Sequence, residues 1–295
     1  MESLRKAAST CYWRFLDATY RWWPDALWLK MAYKARLGRK LDLKNPKTFT
    51  EKLQWLKLHD RNPLYTTLVD KYAVKDYVSR RVGEQYVFPC YGVWNHFDEI
   101  DFEHLPSQFV LKCTHDSGGI VICSDKEHFD MAAARDKLEK ALKLDFWRWS
   151  REWAYKDVRP RILAEQFMVD ESGEELKDYK FFCFNGEPRF IEVDFNRFVL
   201  HQRNIYDLDW HLLDCEIKFP SNKEREIPRP ENLDEMLILA RILSEGFLHV
   251  RIDLYNISGR AYFGEFTFYH GGGWEDFRPL KWDYVFGDCM ILPVN

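Results

Sequence analysis

Apolar and polar positions alternate along two stretches near the C-terminus, His249–Tyr255 and Arg260–Phe268. A period of two residues is typical of β-strands. The residues between the two stretches include Asn256, Ser258 and Gly259, which are common in turns. The pattern therefore predicts a β-hairpin.

The predicted hairpin has one polar face, because alternate side chains of a strand point the same way. This face carries Arg251, Asp253 and Tyr255 from the first strand and Phe263, Glu265 and Thr267 from the second. Two carboxylates beside short polar side chains make a hard-cation site of the kind that Mg²⁺ prefers. Asp253 and Glu265 are therefore candidate metal ligands, and an exposed hairpin in which Arg251 pairs with one of them is the alternative.

The rest of the chain mixes strand and helix patterns. Strands are predicted at Tyr86–Val93, Phe109–Cys113, Ile120–Cys123, 161–168, Tyr179–Asn185 and Pro188–Asp194. Helices are predicted at Asn45–Leu58, from about Asp70 to Val82, at His128–Tyr155 and at Leu233–Ser244, with a polar excursion over 196–231. Thr48 and Glu51 have the spacing of a capping box at the start of the first of these helices.

The composition is that of a globular protein of 295 residues with 46% hydrophobic residues. A net charge of -4 and a pI near 6.2 argue against a general nucleic-acid binder. No apolar run approaches the ~18 residues of a membrane span, and the start lacks the apolar core of a signal peptide. Seven scattered cysteines form no C-x-x-C pair. We therefore expect a cytoplasmic protein without a disulfide framework or a zinc site.

Residues 1–40 form a basic, aromatic arm with nine Lys/Arg, three Asp/Glu and eight aromatic residues. One interpretation is a helix in the interface of the inner membrane face, where aromatic rings lie at headgroup depth and basic residues meet anionic lipid. The other is a pair of helices that turns at Pro24 and packs on the main body, with Trp22, Trp23 and Trp28 buried. The sequence leaves both open.

Candidate phosphate contacts occur in the first half of the chain. Lys71 lies in the first turns of the helix that begins near Asp70, and Lys112 ends an apolar strand. The turn that follows contains Ser117–Gly119, and small residues there can present backbone N–H groups to a phosphate. Glu165 arrives on an apolar strand, where either the amino group of a nucleobase or a buried salt bridge would satisfy its carboxylate.

In their order along the chain these residues resemble the ATP-grasp superfamily, and most closely its branch related to the teichuronopeptide-biosynthesis protein TupA. The resemblance runs from about Asp70 to Gly273. Its motifs are a D-K pair, a V-x-K strand end, a glycine-rich loop, a hinge strand, a D-x-K, and an R-x-D followed twelve residues later by an acid. They correspond to Asp70–Lys71, Val110–Lys112, Ser117–Gly119, Ala164–Met168, Asp178–Lys180, and Arg251, Asp253 and Glu265.

The resemblance implies that the chain binds ATP and Mg²⁺. The nucleotide contacts that it implies are Lys71, Lys112, Ser117, Gly118, Gly119, Glu165, Gln166, Phe167, Met168, Asp178 and Lys180. Glu165 would face the adenine amino group, Asp178 the ribose and Lys180 a phosphate. The implied metal ligands are Asp253, Glu265 and Thr267, and the implied catalytic residues are Arg251, Lys112 and Lys180.

Two features depart from the family pattern. Thr267 stands where the family usually has Asn, which leaves a second magnesium uncertain. Residues 1–69 show helical patterns and no βαβ unit, so the usual N-terminal lobe has no counterpart. We expect an α+β ATP-grasp fold of two subdomains that grip ATP, at about 70–160 and 161–295, preceded by a helical region at 1–69.

The implied function is that of an ATP-dependent carboxylate–amine ligase that works through an acylphosphate and modifies a cell-surface polysaccharide, such as a capsule, or its precursor. The substrates would be an amine or amino acid and a carboxylate-bearing glycan. Two alternatives stay open, a glycan kinase on the same scaffold and a non-catalytic nucleotide-binding component of a polysaccharide complex. A glycosyltransferase is disfavoured, because no D-x-D lies in a suitable loop.

Overall fold

A computed structural model describes residues 12, 15, 16, 18–169, 176–195, 201–225 and 227–293. The helices are α1 (Asp25–Leu37), α2 (Phe49–His59), α3 (Leu64–Val69), α4 (Ala73–Val82), α5 (Met131–Leu142), α6 (Trp147–Ser150), α7 (Leu233–Ser244) and α8 (Lys281–Cys289). The strands are β1 (Cys90–Trp94), β2 (Phe109–Cys113), β3 (Ile120–Cys123), β4 (Ile162–Gln166), β5 (Asp178–Phe184), β6 (Glu187–Phe195), β7 (Gln202–Tyr206), β8 (Glu216–Ile217), β9 (His249–Ile257), β10 (Arg260–Thr267) and β11 (Phe277–Arg278).

Two antiparallel sheets form the body. The first has the order β1-β4-β2-β3, the second has the order β10-β9-β5-β6-β7, and β11 pairs with β8. Helix α5 packs on the first sheet through Leu138, and α7 packs on one face of the second. The division of the chain at residues 69 and 160 stays a prediction, and β4 belongs to the first sheet.

The opposite face of the second sheet changes character along its strands. On β5, Phe184 and Phe182 lie under Phe49 of α2, with ring centroids 5.7 and 6.1 Å away. Two residues further along the same face, Lys180 and then Asp178 are equally buried but charged. The aromatic half of this face packs against α2, and the charged half provides candidate functional side chains.

The hairpin that the alternation predicts is present as β9 and β10, and it contains a bulge. Glu265 pairs with Asp253 and Thr267 with Arg251, but Phe263 pairs with Leu254 because the register shifts at Gly264. The prediction that Phe263 shares the polar face was therefore wrong. A bulge adds one residue to one strand and so moves every later side chain to the other face.

Several other elements differ from the pattern-based prediction. Where we expected a strand at Tyr86–Val93, a 3₁₀ turn at Glu84–Tyr86 precedes β1, which begins after Pro89. Proline has no N–H for a ladder, which explains the late start. The long helix expected at His128–Tyr155 is broken into α5, the single turn α6 and a 3₁₀ turn.

The described part of the N-terminal region consists of helices joined by short loops, and the aromatic side chains of the arm differ in burial. Trp28 on α1 is 1% exposed and contacts Trp274, whereas Trp22 is 79% exposed. Thr48 and Glu51 form the expected capping box at the start of α2. Among the described residues, no helix combines the length and the apolar character that crossing a bilayer requires.

Candidate active site

A cavity of about 980 Å³ opens between the two large sheets. Val110 and Ile120 line it from the first sheet, and Tyr255 reaches it from β9 of the second. The predicted nucleotide contacts that line it are Lys112, Glu165, Gln166, Phe167 and Met168. A largely apolar cavity with a few polar groups has the size and character of a small-molecule site.

Glu165 lies at the inner end of this cavity, on β4, and is 6% exposed. Its carboxylate pairs with Lys112 Nζ at 2.7 Å and also with Lys75. Burial alone would raise the pKa of Glu165, but the two ammonium groups hold it below its usual value. The salt bridge that the sequence left as an alternative is thus present, and it links Lys112 at the cavity wall to Lys75 of α4.

Lys75 is a residue whose role the sequence did not reveal. It follows Lys71 by four residues, so the two lysines lie on one side of α4 and the turn before it. Lys75 Nζ also donates to the carbonyl oxygen of Phe88 at 2.9 Å. The spacing of the two lysines was the available signal, but it is common on solvated helix surfaces.

Lys71 is attached to the glycine-rich turn. Its Nζ donates to the carbonyl oxygen of Asp116, and its backbone N–H donates to Thr114 O at 3.1 Å. Asp116 in turn accepts the N–H of Gly119 at 2.8 Å. The remaining predicted phosphate contacts of this turn, Ser117 and Gly118, are exposed at its tip.

Lys71 also interacts electrostatically with Glu265 of the hairpin. Burial lowers the pKa of Lys71, while the negative charges of Glu265 and Asp116 act in the opposite direction. In the same way, burial would raise the pKa of Glu265, but Arg251, Lys71 and Lys180 together hold it below its usual value. The glycine-rich turn and the hairpin therefore face each other closely enough for their charges to interact.

Three oxygen-bearing side chains of the hairpin converge on one nitrogen. Arg251 Nη2 lies 2.6 Å from Asp253 Oδ2, 3.1 Å from Thr267 Oγ1 and 3.3 Å from Glu265 Oε1. Asp253 is buried, whereas the side chain of Glu265 is 42% exposed at the mouth of the group. Two carboxylates and a hydroxyl around one positive centre form the oxygen-donor set that suits Mg²⁺.

Lys180 extends this charged group on the neighbouring strand. Its Nζ pairs with Asp178 and lies 3.3 Å from Asp253 Oδ2 and 3.7 Å from Asp194 Oδ2. Burial would lower the pKa of Lys180, but Asp178 and Asp253 raise it above its usual value, so the ammonium stays charged. Asp194 on β6 is a further member that the sequence analysis did not single out.

The cavity and the hairpin group lie along one strand. Tyr255, Asp253 and Arg251 are alternate residues of β9, so their side chains follow one another on one face at steps of about 7 Å. Tyr255 lines the cavity, Asp253 comes next, and Arg251 continues to His270, whose Nδ1 accepts a hydrogen bond from Arg251 Nη1 at 2.7 Å. The predicted site residues therefore lie in two adjoining places, the cavity and the group around Arg251. Lys71 and the glycine-rich turn face the second of these.

This arrangement of two antiparallel sheets around a cleft, with an R-x-D strand paired to an acidic strand, defines the ATP-grasp class. A family model described as TupA-like ATP-grasp matches residues 51–291. The chain belongs to this family. Its fold is the expected α+β ATP-grasp fold.

The chain is also similar to solved ligase structures. D-alanine–D-alanine ligase from Helicobacter pylori is 14% identical, with 82% of this chain and 69% of that chain covered and a TM-score of 0.43. The corresponding enzyme from Bacillus anthracis is 18% identical, covered over 68% and 57%, with a TM-score of 0.36. An L-amino acid ligase from Bacillus licheniformis is 14% identical, covered over 76% and 49%, with a TM-score of 0.43.

These TM-scores lie below 0.5, so the family assignment rests on the family model. The chain spans 57% of the Bacillus anthracis ligase and about half of the L-amino acid ligase. No curated protein matches the chain.

Proposed function

We propose that this protein is an ATP-dependent carboxylate–amine ligase that works through an acylphosphate. The observation that carries the proposal is the single face of β9 that leads from the cavity, at Tyr255, to the oxygen donors around Arg251. An adjoining base pocket and metal site are what phosphoryl transfer from a nucleotide requires, because catalysis of that step is mostly positioning and electrostatics.

ATP would lie with its base against the hinge residues Glu165–Met168 and its phosphates towards the facing lysines. Three lysines would contact these phosphates: Lys112 at the cavity wall, Lys71 beside the glycine-rich turn and Lys180 on β5. Backbone N–H groups of Ser117 and Gly118 would add hydrogen bonds, and Asp178 would accept one from the ribose.

Asp253, Glu265 and Thr267 would hold Mg²⁺. When bound, this ion neutralises charge on the phosphates of the nucleotide. The contacts of Arg251 do not block this role, because each carboxylate oxygen has two lone pairs and can accept from both a guanidinium and a metal. Arg251 itself would stabilise the oxyanion that forms when the amine attacks the acylphosphate carbonyl.

The substrates that we propose are a carboxylate-bearing glycan, such as a uronic acid of a capsule polysaccharide or its precursor, and an amine or amino acid. We also propose that the protein contacts the inner membrane face through its N-terminal arm. Exposed Trp22, Phe15 and Leu27, together with exposed Arg21 and Lys30, support this contact.

Hydroxylamine trapping tests the ligase proposal. The protein is incubated with ATP, Mg²⁺, hydroxylamine and a panel of uronic acids, and hydroxamate and ADP are measured together. An acylphosphate predicts hydroxamate formed one for one with ADP. A stable phosphorylated sugar without hydroxamate would contradict the ligase and favour the kinase, and no ADP with any of the panel would favour the non-catalytic alternative.

A further inference from the structure

A buried lysine of helix α2 contacts the loop beside the candidate metal ligands, although the proposed function gives it no role. Lys57 is 1% exposed, and its Nζ donates to the carbonyl oxygen of Gly272 at 2.6 Å. Gln54, three residues earlier on the same side of the helix, donates to the carbonyl oxygens of Gly272 and Gly273 at 3.2 and 2.9 Å. Two buried donors of one helix thus hold the same short piece of backbone.

The loop that they hold, residues 270–273, has an unusual conformation. Gly271, Gly272 and Gly273 have φ angles of 53°, 64° and 69°, in the left-handed region that favours glycine. A Cβ at Gly273 would lie 2.3 Å from Gln54 Nε2. The loop therefore lies directly against α2, which fixes where its carbonyl groups point.

Trp274, directly after the loop, attaches it to both N-terminal helices. Lys57 Nζ lies 4.4 Å from the centroid of its ring, and Arg36 of α1 lies 5.2 Å from it. Trp28 of α1 meets the same ring edge-on, with centroids 6.2 Å apart. Cations over an aromatic face are attracted by its quadrupole, and the attraction grows with burial.

The other end of the loop reaches the candidate site. His270 Nδ1 accepts a hydrogen bond from Arg251 Nη1 at 2.7 Å, while Nε of the same guanidinium donates to Asp253 at 2.6 Å. His270 Nε2 lies 3.0 Å from Glu275 Oε2. Residues 270–273 thus connect Lys57 and Gln54 of α2 to the guanidinium of Arg251, which contacts the candidate metal ligands.

We propose that Lys57 and Gln54 are positioning residues, which fix residues 270–273 from the N-terminal helices and thereby hold His270 and Arg251 against the carboxylates of the hairpin. The inference rests on the proposed function and extends it, since the helical region at 1–69 then shapes the active site without touching substrate.

The charge of Lys57 provides a readout that a packing role would not give. The groups that face it are Arg36 from α1, Glu152 from the segment before β4, and the ring of Tyr269 at 5.9 Å. Burial lowers the pKa of Lys57 to about 7, Arg36 acts in the same direction, and Glu152 opposes both. Because an ammonium donates stronger hydrogen bonds than an amine, the hold on the loop should weaken as pH rises through about 7.

The matched variants are Lys57→Met and Lys52→Met. Lys52 is on the same helix and likewise donates to backbone carbonyls, in its case those of Gly287 and Met290, both at 2.8 Å. We expect amide hydrogen exchange over 269–275 to speed up about tenfold or more in Lys57→Met and to stay unchanged in Lys52→Met. Gln54→Leu removes the other donor to the loop without removing a charge. It replaces Lys57→Met in the exchange comparison if Lys57→Met does not fold. Unchanged loop exchange in folded variants would overturn the proposal.

The functional half of the inference is tested by ADP formation from Mg²⁺–ATP and by the affinity for Mg²⁺–ADP. In wild type we expect kcat to fall between pH 6 and 8. Lys57→Met should lower kcat about tenfold or more, leave the Kd for Mg²⁺–ADP within about twofold, and remove this fall. Faster loop exchange with an unchanged kcat and pH profile would overturn the positioning role. If wild type neither binds Mg²⁺–ADP nor forms ADP, the proposed function fails, while the exchange comparison still decides whether Lys57 fixes the loop.

Discussion

Arg251 and the carboxylates around it are the residues on which the proposed chemistry most depends. Its guanidinium contacts Asp253, Glu265, Thr267 and His270 at once. Of the two acids, Asp253 is buried under this contact, whereas Glu265 is partly exposed and its pKa is lowered by three cations. Glu265 can therefore be altered with less risk to the fold.

Glu265→Gln keeps the shape of the side chain and removes the negative charge that Mg²⁺ would need. We expect ADP formation to fall by about a hundredfold or more, since removal of one electrostatic group from such a site typically costs this much. The melting temperature should stay near that of wild type. Glu245→Gln, which alters an exposed partner of Arg81, is the control and should leave both quantities unchanged.

Glu165 gives a pH-dependent prediction of stability. Its folded-state pKa is lowered by Lys112 and Lys75, so its stabilising contribution is present above the unfolded-state pKa of about 4.3 and is lost as pH falls through the folded value. Glu165→Gln removes the carboxylate that pairs with two partly buried ammonium groups and should cost about 3 kcal/mol at pH 7.

Urea unfolding of wild type and Glu165→Gln at a series of pH values checks this. The difference in unfolding free energy should be largest at pH 7 and should shrink as pH drops below about 4. A difference that is constant across this range would mean that the two salt bridges do not stabilise the fold.

Among the elements, the β9–β10 hairpin shows how far the sequence could predict this structure. Alternation and turn residues predicted both strands, and the helical pattern at Leu233–Ser244 predicted α7. The bulge at Gly264 was not predicted, although the buried apolar positions change phase there, from Ala261 and Phe263 before it to Phe266 and Phe268 after it. Contacts between distant segments, such as Lys75 with Glu165 or Gln54 with Gly273, leave no local signal.

The bulge makes a prediction of its own. A Cβ at Gly264 would lie 3.1 Å from Asp253 O and 3.0 Å from the ring of Tyr255, and the carbonyl cannot move without disturbing the ladder. Gly264→Ala should therefore destabilise the fold by about 1 to 2 kcal/mol in urea unfolding. Gly118→Ala is the control, since a Cβ there meets no atom within 4 Å. Equal stability of the two variants would contradict the tight approach.

At the scale of the whole molecule, the described part of the N-terminal region has both buried and exposed aromatic side chains. Trp28 is buried with Trp274, so this part of the arm is structural. Trp22, Leu27 and Lys30 are exposed. The two interpretations of the arm are thus compatible, because different residues would carry each.

Vesicle sedimentation tests the membrane contact. Full-length protein should sediment with phosphatidylglycerol vesicles and not with phosphatidylcholine, and salt should weaken this, because a Debye length of about 8 Å at physiological ionic strength screens exposed charge. Trp22→Ser combined with Lys30→Gln should reduce the bound fraction severalfold. Tyr284→Ser, which alters an exposed aromatic residue on α8, should not. Binding that ignores lipid charge or these substitutions would rule out the proposed surface.

The proposed chemistry requires one continuous face of β9 to join a nucleotide cavity to a metal site. A crystal structure with Mg²⁺ and a non-hydrolysable ATP analogue tests this. We expect the base to lie between the two sheets at Glu165–Met168, the phosphates to lie near Lys112, Lys71 and Lys180, and Mg²⁺ to bind Asp253 and Glu265. An analogue bound elsewhere, or bound in the cavity with its phosphates pointing away from the hairpin, would contradict it.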